Sequence, residues 1–185
     1  MEHNMGVTSL SIAISNYLSS KEQLKVAYIE LNNTKEIATI KRCHTKFKSQ
    51  GIDFYPEVTL KQLADLYNKD YTTFVVDFGV LSNFTHSEFK RCDKQIALCS
   101  TSVWKSYTLE AFLNKLFENN TDPNKIILLG NPCSKKINIK NSNQRSLSYN
   151  VSQLPFIPNP FQITSNHLDF FGNLIRKELI YHART

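Results

Sequence analysis

The stretch YTTFVVDFG, residues 71–79, decides the fold. Thr72–Phe78 is a short, nearly continuous run of β-branched and aromatic residues, closed by Asp77 and then Gly79. A strand with apolar residues on both faces is covered on both faces, as in a parallel sheet. Three more runs share this character: Lys25–Leu31 (KVAYIEL), Gln95–Cys99 (QIALC) and Lys125–Leu129 (KIILL). Helical periodicity lies around them. Thr8–Ser19 places Leu10, Ile14, Tyr17 and Leu18 on one face, and Leu60–Tyr67 repeats apolar residues at i, i+3, i+4 and i+7. Ser106–Asn119 aligns Leu109, Phe112, Leu113 and Leu116, and Leu168–Tyr181 aligns Phe171, Leu174, Ile175 and Leu179. Strands alternating with helices of this length predict βαβ units with right-handed crossovers and a mostly parallel α/β sheet.

Composition narrows the class. The chain has 185 residues, 41% of them hydrophobic, and 22 Lys+Arg against 16 Asp+Glu give a net charge of +6. This is enough apolar material for one folded domain and too much for a disordered chain. No apolar run approaches the length that crosses a bilayer, and Glu2-His3-Asn4 does not open a signal peptide. The four cysteines, Cys43, Cys92, Cys99 and Cys133, form neither a CxxC pair nor a zinc pattern and read as free thiols in a cytoplasmic protein. Ser134–Ser152 is polar and basic and reads as a mobile excursion, and residues 153–163 (QLPFIPNPFQI) as an extended lead into the last helix.

In an open parallel sheet, chemistry gathers at the carboxyl ends of the strands. The segment His3-Asn4-Met5-Gly6-Val7-Thr8-Ser9 leads into the first helix there. Helix N-terminal N–H groups attract anions, Gly6 permits close approach, Thr8 offers a hydroxyl to a magnesium ion, and Asp77 a carboxylate.

These residues carry a resemblance. HNMGVTSLSIAISNYL resembles the phosphate loop and first helix of the MinD/ParA-like, deviant-Walker P-loop ATPases. KVAYIELNN matches their second strand, YTTFVVDFG their Walker-B strand, KIILLGNP a late strand with its base-contacting Asn, and FIPNP the segment before the last helix. The resemblance spans nearly the whole chain as an order of elements. It implies a three-layer α/β/α P-loop NTPase-like domain over residues 1–185, ATP or ADP with Mg²⁺ as cofactor, and a protein partner or a homodimer. It assigns Asn4, Met5, Gly6, Val7, Thr8, Ser9 and Asn131 to the nucleotide, Thr8 and Asp77 to magnesium, and Glu30 and Asn32 to the paired carboxylates that follow the second strand.

The departures are specific. The family pattern K-G-G-x-G-K-T-T falls on Glu2-His3-Asn4-Met5-Gly6-Val7-Thr8-Ser9, so both phosphate-binding lysines are replaced, by Glu2 and Val7. The paired Asp residues are Glu30 and Asn32. The family's first strand, expected ahead of the loop, has no counterpart in the sequence; the expectation is a misplaced start, a fragment or another segment filling the gap, and otherwise a stability problem or a strand supplied by a partner. Phosphoryl transfer depends on neutralising charge on the phosphate oxygens, and one lost contact of this kind costs about 3 kcal/mol of transition-state stabilisation. The expectation is a degenerate family member that does not hydrolyse ATP and acts as an interaction or regulatory module, either with residual nucleotide binding or with the loop kept for its fold without a ligand. The alternative is an active ATPase in cell-division, partition or surface-assembly positioning.

Other features keep two readings. Asn131 suits a Gly-Asn-Pro turn as well as a base contact. The basic segments Lys41–Lys48 and Lys135–Arg145 suit solvated loops better than nucleic acid, since few aromatics are interleaved. Trp104 reads as a core or lid aromatic, or else as a ligand-stacking one.

Overall fold

The computed structural model describes residues 6–82, 84–118, 125–131, 135–140 and 146–176. Asn4 and Met5 therefore lie outside the described residues. The chain divides into two compact units: Gly6–Gly79 with the segment from Pro155 onward, and Val80–Leu154.

The first unit begins with α1, Val7–Ser20, which leads into β1, Val26–Glu30, buried along its length. Next come the short α2, Glu36–Lys41, and the strands β2, Phe47–Ser49, and β3, Ile52–Tyr55. α3, Leu60–Tyr67, opens on a capping box in which Gln62 N–H donates to Thr59 Oγ1 and Gln62 Oε1 accepts from Thr59 N–H. Caps of this kind are worth about 1 kcal/mol. β4, Thr73–Asp77, completes a sheet of order β2-β3-β1-β4, with β1 parallel to both neighbours and β2 antiparallel at the edge.

Register sets the two faces. Val26, Tyr28 and Glu30 share one face with Val75, Asp77 and Phe54, while Ala27 and Ile29 share the other with Phe74, Val76, Asp53 and Tyr55. α1 covers the first face together with α6, Ser165–Arg176, through Tyr17 against Phe171 at 5.8 Å. Asn16 Nδ2 donates to the Pro160 carbonyl at 2.7 Å, which ties the proline segment to α1. Tyr67 meets Phe74 edge-on at 5.2 Å, so α3 lies on the second face. Within this unit the layers are helix, sheet, helix.

The second unit holds α4, His86–Arg91, β5, Gln95–Ser100, a 3-10 turn at Val103–Lys105, and α5, Ser106–Glu118. β6, Ile126–Asn131, β7, Lys135–Lys140, and β8, Ser146–Gln153, complete a sheet of order β5-β6-β8-β7. β6 is parallel to β5 and β8, and β7 is antiparallel to β8. This corrects the reading of Ser134–Ser152 as a mobile excursion. Its described residues form a strand pair whose backbone hydrogen bonds a polar sequence can make as well as an apolar one. The single mostly parallel sheet expected from the sequence is two four-stranded sheets, each mostly parallel with one antiparallel edge. Among the described residues, no helix is long and apolar enough to cross a membrane.

Candidate functional site

At the carboxyl ends of β1 and β4, the first unit gathers Thr8, Tyr28, Glu30, Asn32, Asp77 and Gly79. Asp77, with no exposed surface, is the centre. Its Oδ2 accepts from Thr8 Oγ1 at 2.6 Å and from the Tyr28 hydroxyl at 2.9 Å, and its Oδ1 accepts from Gly79 N–H at 2.8 Å. A carboxylate offers about four lone-pair positions. Both positions on Oδ2 are taken by protein donors, and so is one on Oδ1.

The sheet explains why Tyr28 reaches Asp77. Tyr28 stands opposite Val75, and Asp77 is two residues further along the same face. Diagonal neighbours on a sheet lie about 7–8 Å apart at Cα, within the reach of a tyrosine. Burial pushes the Tyr28 hydroxyl well above the ordinary phenol range, and the neighbouring Asp77 charge adds to this. Sequence reading missed Tyr28. The available signal was a tyrosine inside an otherwise aliphatic buried strand, whose O–H must find a partner.

Gly6 sits at the N-cap of α1 with φ +86°, a left-handed conformation that suits glycine, and no side chain caps this helix. The Gly6 carbonyl accepts the first helical bond from Leu10 N–H at 2.9 Å. Val7, Thr8 and Ser9 follow in a first turn without a charged side chain, so the helix presents backbone N–H groups and no cation.

Glu30 and Asn32 both perform local structural work. Glu30, fully buried, accepts from Ile37 N–H at 2.8 Å through Oε1 and from Glu57 N–H at 3.2 Å through Oε2. Burial raises its carboxyl above the usual range, and the two backbone donors work against that rise. Asn32 Nδ2 donates to the Asp77 carbonyl at 3.2 Å, while its Oδ1 accepts from Thr34 N–H and Oγ1. A Cβ on Gly79, which has φ +57°, would come to 3.0 Å from Asn32 Cβ, tight enough that Asn32 would have to shift.

Thr8 and Asp77 are thus brought together, with Glu30 and Asn32 beside them. Asn131 belongs to the other unit, where it ends β6 opposite Ser100 and its carbonyl accepts from Thr101 N–H. Trp104 is 88% exposed, which overturns its reading as a core aromatic. Among the described residues, no group of three or more His, Cys, Asp or Glu could hold a metal. Magnesium takes six oxygens at about 2.0–2.1 Å and keeps several waters. A carboxylate without exposed surface and with three protein donors does not fit that requirement as it stands.

No protein-family model matches the sequence, and no curated protein matches it. Solved structures do match. The chain is similar to a plasmid partition protein from Borrelia burgdorferi, with a TM-score of 0.54 and 17% identity, over 70% of this chain and 74% of that one. It is similar to a ParA family ATPase from Chlorobium tepidum, with a TM-score of 0.52 and 12% identity, over 70% of each chain. A chain of the MinC:MinD cell division protein complex of Aquifex aeolicus gives 0.53 and 14%, over 70% of this chain and 64% of that one. At such identities the fold is what is shared: the mixed α/β, P-loop NTPase-like fold of ParA- and MinD-type ATPases.

Proposed function

We propose that this chain is a degenerate MinD/ParA-like P-loop protein that does not hydrolyse ATP and works as a protein-interaction or regulatory module. One observation carries the reading. The first turn of α1 has Val7 where a triphosphate would need a cation, and the carboxylate facing that turn is occupied by Thr8, Tyr28 and Gly79. With no fixed positive charge in that turn among the described residues, the site lacks there the electrostatic component that accounts for most of phosphoryl-transfer catalysis. Nucleotide contact is left to the backbone N–H groups of Val7, Thr8 and Ser9, a weak and non-catalytic hold. When bound, ATP or ADP would present a phosphate to these backbone N–H groups.

Exposed aromatics support an interaction role. In the second unit Phe84, Trp104 and Tyr107 are largely exposed, and large aromatics are over-represented as anchors at protein interfaces. The named complex among the similar structures, MinC with MinD, is an assembly of a protein with this fold and a partner. A partner protein or a second copy of this chain is the corresponding proposal here.

The test is phosphate release from Mg²⁺-ATP, with calorimetric titration of ATP alongside. The expected result is turnover indistinguishable from that of a Thr8→Ala variant, and at most millimolar binding. Clear Thr8-dependent turnover would overturn the reading in favour of an active ATPase, which the uncapped α1 N-terminus and the adjacent Thr8–Asp77 pair would then serve. Light scattering of the wild type and of Trp104→Ala addresses the interaction role: weaker self-association in the variant identifies a homodimer.

A further inference from the structure

The fold implies a magnesium ion between the hydroxyl at Thr8 and the carboxylate at Asp77, and the residues present disagree with it. We propose that the Tyr28 hydroxyl stands in for that metal: Thr8, Tyr28 and Asp77 form a metal-free lock that fastens the start of α1 to β1 and β4. The inference rests on the reading of this site as non-hydrolysing, and makes the loss of the metal a built feature.

Three observations combine. The first is occupancy: Thr8 Oγ1 at 2.6 Å and the Tyr28 hydroxyl at 2.9 Å both donate to Asp77 Oδ2, the oxygen facing the helix, and fill it, and Gly79 N–H takes one position on Oδ1 at 2.8 Å. The second is enclosure. Asp77 and Tyr28 have no exposed surface and Thr8 has 5%, so the Asp77 carboxylate offers no water-facing oxygen to a magnesium ion and its coordination waters. The third is rigidity. Tyr28 is held from behind by Phe54, ring centroids 5.2 Å apart, and Phe54 by Phe47 and Phe161. The phenol cannot swing aside to admit an ion without disturbing an aromatic stack on the sheet. A buried carboxylate needs compensation, from a cation or from several hydrogen bonds. Here hydroxyl and amide dipoles provide it.

Tyr28 is accordingly a positioning residue. It fixes the Asp77 carboxylate, and through it Thr8 and the first turn of α1. A bulky residue that merely fills space would not be coupled to the charge of Asp77, and this separates the two roles.

The experiment is thermal unfolding of the wild type, Tyr28→Phe, Asp77→Asn and the double variant, with excess Mg²⁺ or with EDTA as the probe, since an ion that binds the folded state raises its midpoint. The wild-type midpoint is expected to stay the same with Mg²⁺ and with EDTA. Tyr28→Phe is expected to lower it by about 5 °C, as for one hydrogen bond to a charged group in a chain of this size. In the Asp77→Asn background the same change is expected to cost less than half as much, the signature of direct coupling. A wild-type midpoint that rises with Mg²⁺ or falls with EDTA overturns the proposal, and so does a Tyr28→Phe penalty that is absent or unaltered by Asp77→Asn. If the Asp77 variants do not fold, the metal titration of the wild type and of Tyr28→Phe still decides. Phosphate release measured on the same wild-type preparation keeps the two readings apart. Turnover with a metal-insensitive midpoint sinks the non-hydrolysing reading and leaves the lock, whereas no turnover with a metal-sensitive midpoint does the reverse.

Discussion

The two ends of the first sheet solve the same problem in opposite ways. At its carboxyl end, Asp77 is buried and satisfied by neutral dipoles: two hydroxyls and an amide. At its entry end, Asp53 is held by charge. Lys46 Nζ lies 2.9 Å from its carboxylate, the Tyr71 hydroxyl donates to it at 2.5 Å, and Tyr55 and Tyr71 hydroxyl oxygens are 2.8 Å apart. Lys25 pairs with Asp70 at 2.7 Å nearby, and the ammonium groups of Lys46 and Lys69 lie over the Tyr55 ring at 5.3 and 5.1 Å. Lys46 has about half its side chain exposed, so its charge stays solvated. The difference shows where each kind of polar contact is stable. A carboxylate can be taken fully out of water when rigid neighbours supply its hydrogen bonds. A flexible lysine serves only where its head can remain wet.

The largest expected effect breaks the buried end. Asp77→Ala leaves Thr8, Tyr28 and Gly79 N–H without an acceptor in a closed space and is expected to cost about 4 kcal/mol in urea unfolding. Asp53→Ala, which frees donors that water can reach, is expected to cost about 1 kcal/mol. Equal losses would mean that burial does not distinguish the two carboxylates. Smaller still is Lys46→Met, at under about 1 kcal/mol. Its penalty should fade as NaCl is raised to about 0.5 M, because solvated charges are screened over a few ångströms there, while the Asp77→Ala penalty stays constant. Urea titrations at two salt concentrations measure both.

How much of this was legible in the sequence depends on the kind of signal. β1, β4, β5 and β6 were readable because buried parallel strands are apolar runs, and α1, α3 and α5 because their apolar residues repeat with helical spacing. α6 was found as well, though its first residue precedes the periodic pattern. β2 and β7, with Lys48, Lys135 and Lys136, were not readable, because edge strands carry charges and their pairing is a backbone matter. The order of motifs pointed to Thr8, Glu30, Asn32 and Asp77, and the structure brings these four together. Tyr28 was not, since its role depends on register across two strands separated by over forty residues, and no local pattern records that. The same limit applies to Asn32, whose bond to the Asp77 carbonyl is a product of the turn and not of the residue type.

The finest comparison is between two adjacent glutamates at the carboxyl end. Glu30 is buried, and burial raises its carboxyl above the usual range. Glu57 lies at the rim, where the Lys35 ammonium at 2.8 Å, and then His44, hold its carboxyl below that range. The signs of the pH dependence follow. A depressed group stabilises the fold above its unfolded value, about 4.3, and that contribution disappears as pH falls through the depressed folded value. The Glu57→Gln penalty should therefore be present at pH 7 and shrink below about pH 4. A raised group acts the other way. As pH falls from 7, native Glu30 takes up its proton before the unfolded chain does, so the wild type gains stability until about pH 4.3 is passed. Glutamine at position 30 cannot take up that proton, and the Glu30→Gln penalty should grow over the same interval. Unfolding free energies of the two variants between neutral and acidic pH read the slopes directly. Parallel slopes would show that the rim and the interior share one electrostatic environment, against the burial that separates them.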